Sequence, residues 1–189
     1  NPAPFSSATI ATSNVRAAYG YYLSSVYAGI ARQPEAQTGL IAGTPVVYGS
    51  GVTLTSAFEE VGRIAGFAHL IGAAARQPEV AGALASFAGG YTGGMSFNDD
   101  PLVFAARVYL AGAIADGIAS QPESGGTLVS LALGLIGEPP APPQGETYKL
   151  LLGFLSQKLA AASRAQPEAV GAIAQAIFDV TGFDLREGD

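Results

Sequence analysis

Few residues in this chain are of a type that does chemistry. There is one histidine, His69, and no cysteine. A two-histidine zinc site and a Cys-His nucleophile pair are therefore excluded within one chain. His69 stands among Phe67, Leu70 and Ile71. That setting reads as a core or interfacial histidine with one hydrogen bond; the sharper alternative is an axial ligand or a base. Asp99 and Asp100 offer carboxylates to a hard cation, but Pro101 follows, and Asp-Pro is the pattern of a helix cap and first turn. Glu59 and Arg63 lie one helical turn apart and read as a surface pair. Asp116 stands between Ile114 and Ile118. A pairing with Arg107 or Arg76 is the plain expectation there, and a functional carboxylate the alternative. The glycine pairs Gly89-Gly90 and Gly93-Gly94 lack the strand, helix and lysine of a phosphate loop. Nothing assembles into a nucleophile, base and oxyanion set. The sequence thus assigns no catalytic residue, no metal ligand and no cofactor, and the chain reads as non-enzymatic.

The elements that carry these residues follow a repeat. Gln-Pro-Glu occurs at residues 33–35, 77–79, 121–123 and 166–168, so the prolines stand 44, 44 and 45 positions apart. A fixed period of this size marks a repeated supersecondary unit. Proline fits the first turn of a helix, glutamate suits its positive end, and the residue before proline is pushed out of helical geometry. Each Gln therefore ends one helix, and each Pro begins another. Upstream, Val61, Ile64, Phe67, Leu70 and Ile71 recur at helical spacing. So do Val103, Phe104, Val108, Leu110, Ile114 and Ile118, and then Leu151, Phe154, Leu155 and Leu159. Seven residues after each Gln comes Leu40, Leu84, Leu128 or Ile173. The predicted fold is all-α: four helix–Pro corner–helix repeats of about 44 residues, forming a bundle or short solenoid.

With 189 residues, the chain can bury a sizeable core as a single domain. Charged residues make up 13%, about half the usual share. Ala and Gly dominate the apolar set; Gly62-x-x-x-Gly66, and Gly117 beside Ala113, let helix axes approach closely. The uncharged apolar runs 64–75 and 126–137 are about a dozen residues, short of the roughly 20 a membrane span needs. Net charge is −6 with two lysines, so no basic patch is present for nucleic acid. The opening Asn1-Pro2-Ala3-Pro4 has no methionine and reads as a mature end after leader removal, which places the protein outside the cell or in a periplasm.

Residues 1–12 read as an extended arm and 13–182 as one helical-repeat domain, with hairpins at about 13–45, 56–89, 101–137 and 147–182. Residues 183–189 form an acidic tail. Residues 46–54 are two β-branched runs around Gly-Ser-Gly and read as a small β-hairpin or an extended loop. The Pro-rich stretch 139–143 predicts an extended strap.

Two short resemblances accompany this reading. Gly29-Ile30-Ala31-Arg32-Gln33-Pro34-Glu35-Ala36 resembles the polar loop of the proton-ring c subunits of rotary ATP synthases. It covers eight residues and implies the same hairpin solution, without the membrane-length helices or buried carboxylate of that family. The segment from Gly72 through Pro78 to Glu123 is loosely similar to the helical units of peridinin–chlorophyll light-harvesting proteins. Those bind pigments inside a helical shell, and their chlorophyll-side histidine would fall near Ala88, where this chain has none.

The function expected from these residues is an exported structural protein that assembles with copies of itself, as a filament, sheath, surface-layer or shell subunit. The alternative is a carrier of an apolar ligand or pigment. Val15, Tyr19, Tyr22 and Leu23 make an apolar first helix, and Ile173, Ile177, Phe178 and Phe183 an apolar last one. Two different apolar ends favour a head-to-tail contact. Tyr21, Tyr22 and Phe178 are its expected residues.

Overall fold

A computed structural model describes residues 56–76, 97 and 99–186, with Ser25, Val26, Gly29, Arg32, Gln33 and Glu35. The described residues are 82% helical and contain no strand. Among the described residues five helices carry the fold: α1 (Ala57–Arg76), α2 (Pro101–Ser120), α3 (Gly125–Ile136), α4 (Glu146–Ala165) and α5 (Val170–Thr181). The arm 1–12, the first hairpin's tyrosines and the β-hairpin expected at 46–54 lie outside the described residues.

α2 begins where the sequence dictates. The Asp100 carboxylate accepts from the Leu102 N–H at 2.8 Å, and Pro101 fills the first helical position. It ends at Gln121, whose N–H donates to the Gly117 carbonyl at 2.9 Å. Gln121 sits at φ −142°, ψ 84° and turns the chain out of the helix. Pro122–Ser124 then form one 3-10 turn that runs into α3. The corner after α4 repeats this geometry: Gln166 has φ −142°, ψ 79°, and its N–H reaches the Ala162 carbonyl at 2.8 Å. At Gln33 the same closure is made on Gly29 at 3.0 Å. Leu128 and Ile173, one turn beyond their corners, are both fully buried.

α1, α2 and α4 lie side by side and parallel. Ala75 meets Gly117, Gly112 meets Phe154, and Asp116 meets Lys158, so each contact joins residues nearly one repeat apart. α3 and α5 run back as a second layer, packed on each other and on α2. A Cβ at Gly117 would come within 2.8 Å of Leu128 and 3.1 Å of Ala75, so glycine is what lets three helices converge there. Ile64, Phe67, Leu70, Val108, Leu110, Ile114, Ile173 and Ile177 fill the space between the layers. Each such side chain contributes about 1.5–3 kcal/mol by leaving water. Val26 of the first unit joins this core. α2, at 20 residues, is long and apolar enough to cross a membrane, unlike the shorter runs counted in the sequence; 67% of its apolar window is buried inside the protein, as in a core helix.

The strap after α3 carries Pro139 to Pro143, with Gly137 and Gly145 at φ 68° and 82° marking its ends. It passes over the end of α5, where Pro142 lies 3.4 Å from the position of a Cβ on Gly182. Gly182 takes φ 75°, and its N–H donates to Phe178 at 2.7 Å, the left-handed stop of a helix. Phe183 then turns inward against Phe104 and Tyr148, with ring centroids 5.7 and 5.0 Å away.

Candidate functional site

On α1, residues 58, 61, 65, 69, 72 and 76 fall on one stripe; on α2, residues 102, 106, 109, 113, 116 and 120 do the same. Because the helices are parallel, the two stripes face each other and bound a groove. Its first part is an apolar hollow of about 400 Å³ with a floor of Ala65, Ala105 and Ala106. Phe58, Leu102 and Tyr109 form the rims and stay 63%, 53% and 50% exposed. His69 stands at the end of this hollow. Partial burial, helped by Arg76, pushes its pKa below the ordinary value, so the imidazole is neutral at neutral pH. One turn further lies a second hollow of about 280 Å³, lined by Gly72, Arg76, Asp116 and Ser120.

The inward side of the same helices carries charge. Glu59, Glu60, Arg63 and Arg107 are all buried. Arg63 donates to Glu60 at 2.9 Å, and its guanidinium lies 6.0 Å from the Phe67 ring centre. Arg107 gathers the ends of two helices: it donates to the carbonyls of Ile136, Gly137 and Glu138 past the end of α3, and to Val180 at the end of α5. The Ile136 and Val180 carbonyls lack intrahelical donors and sit at the negative ends of their helix dipoles, so a buried cation suits them. Burial pushes the Arg107 pKa down to about 10, opposed by Glu60, and the group stays charged at neutral pH. This node anchors the ends of α3 and α5 on α2.

Several sequence expectations are corrected here. Glu59 and Arg63, expected at the surface, are both buried, and Arg63 bonds Glu60. His69 is exposed at a groove, not in the core. Asp116 pairs with Lys158 of α4 at 2.6 Å, not with an arginine. Asp100 caps α2, as its Asp-Pro pattern predicts, and among the described residues no three metal-binding side chains cluster. The apolar last helix is not uncovered: Ile173, Ile177 and Phe183 are buried under α2 and the strap. Of the expected contact residues, Phe178 alone is described; it is 38% exposed, and the Arg186 guanidinium lies over its ring at 5.1 Å. Tyr21 and Tyr22 lie outside the described residues.

The groove and the Arg107 node both went unread in the sequence. A strict helical stripe through Ile64, Phe67 and Ile71 passes through Glu60 and Arg63, and one repeat on, through Phe104 and Arg107. The opposite stripe passes through Phe58, His69 and Arg76. That comparison was the missing signal. Searches of protein-family models, curated proteins and solved structures found no match.

Proposed function

We propose that this chain is a non-enzymatic carrier that holds an apolar small molecule in the groove between α1 and α2. One observation carries the reading: a concave apolar surface with bulky exposed rims, a small-residue floor and a single neutral imidazole. Binding sites for small molecules have this make-up and volume, mostly apolar with few polar groups. The covering of Ile173, Ile177 and Phe183 removes much of the motive for a head-to-tail contact, which is why the carrier stands first. The four-unit repeat belongs to the same reading; the matching closures at Gln33, Gln121 and Gln166 support it. The test is direct. An environment-sensitive apolar dye should bind the purified protein, and Leu102→Asp should weaken it at least tenfold. Unchanged dye affinity in that variant would remove the groove as the site.

The second reading is an exported, self-assembling structural subunit. Exposed Phe58, Leu102, Tyr109 and Leu150 favour it, since apolar side chains in the open suit contact with other protein. Light scattering across a concentration series separates the two: growth in particle size supports assembly, and a constant monomer supports the carrier.

A further inference from the structure

We infer that the ligand of this groove is an amphiphile with an anionic head, held with its apolar body against Phe58, Leu102 and Tyr109 and its carboxylate at Arg76. The inference rests on the carrier reading and adds the ligand's charge and direction. The groove is polarised along its length. From Phe58 to Arg76 it runs 18 residues of α1, about 27 Å at the helical rise. The first two-thirds offers side chains without charge. Its far end holds two cations and one anion. Asp116 is already held by Lys158 at 2.6 Å. Arg76 is exposed at the end of α1, where its Nε donates to the Gly72 carbonyl at 3.1 Å. That bond holds the guanidinium at the second hollow, which Arg76 helps to line, and its terminal nitrogens have no carboxylate partner among the described residues. A planar fork of donors at the mouth of an apolar channel is complementary to a carboxylate on an apolar tail. His69, neutral between the two parts, adds no competing charge.

The experiment uses cis-parinaric acid and its methyl ester, which share a fluorescent tail and differ in head charge. Both should light up on binding the wild-type chain, the acid more tightly. Arg76→Gln should weaken the acid about fivefold and leave the ester unchanged, the size expected of one solvent-exposed ion pair. Arg76→Lys should restore part of the loss, and added salt should erode the acid's advantage. Leu102→Asp should weaken both probes. If Arg76→Gln leaves the acid unchanged, or shifts acid and ester alike, the head assignment is overturned while the groove stands. If neither probe binds, the carrier reading falls and the inference with it. A dimer that Leu102→Asp dissociates, with no probe binding, would assign the groove to a second copy and overturn both.

Discussion

α2 and α4 are the same element in two settings. Each is 20 residues long, each ends at a Gln-Pro corner of nearly the same dihedral angles, and each feeds a 12-residue partner helix. Yet α2 has neighbours on both flanks and buries most of its length, whereas in α4 only Leu155 and Ala162 are buried. The difference follows position, since the corners are alike. Leu102 on the outer face of α2 becomes exposed Thr147 one repeat later, and buried Arg107 becomes half-exposed Leu152. Lys149, Gln157 and Lys158 of α4 stand at the positions that Phe104, Gly112 and Ala113 hold in α2. The corner sets where a helix stops; the number of neighbours sets what it is made of.

Substitutions made in parallel in the two helices sharpen that contrast. The largest effect is expected at Arg107. Arg107→Met would leave four carbonyls, two at helix ends and two in the strap, short of a donor and should cost about 3 kcal/mol or more in urea unfolding. Lys149→Met, which breaks the exposed Lys149–Glu146 pair, should change stability by less than about 0.5 kcal/mol. Equal losses would mean that α4 is as integral as α2.

Glycine to alanine should have opposite signs in the two helices. Gly117→Ala forces a Cβ against Leu128 and Ala75 and should cost about 1–3 kcal/mol. Gly153→Ala meets nothing within 4 Å on the open face of α4 and should stabilise by about 0.5–1 kcal/mol. Thermal melts of both variants would show it, and a loss at Gly153 would reveal a neighbour on that face.

The smallest effect is at the seam between the helices. A double-mutant cycle on Asp116 and Lys158 should give a coupling below about 1 kcal/mol, fading in high salt because both groups are partly exposed. A large, salt-resistant coupling would make that pair a structural bolt and not a surface contact.

Much of the helical character was legible because its signals are local. Asp100-Pro101, Gln121-Pro122 and Gln166-Pro167 act through their own backbone, and the apolar set of α2 is buried as its spacing predicts. What was not legible depends on which helix lies next to which. Asp116 finds Lys158 in a different repeat, and His69 is exposed because the groove, not the core, lies on its side of α1. Arg63 and Arg107 misled for a further reason. Arginine in an amphipathic pattern is ordinarily solvent-facing, and it enters a core only where carbonyls or carboxylates await it. Those partners are remote in sequence.

The Arg107 node also bears on the order in which the chain can acquire its structure. The residue bonds Val180, 73 positions later, as well as Ile136. During synthesis α2 emerges long before α5 exists, and until then one of its buried cation's acceptors is missing. Water must stand in for it, which keeps the inner face of α2 from drying completely. Final consolidation of the central helix therefore waits on nearly the last residues described. Long-range closure of this kind slows folding relative to a purely local helical hairpin. It also ties the C-terminal helix to the middle of the protein in one cooperative unit: a chain cut short before Val180 would be left with an arginine buried for a partner that never arrives.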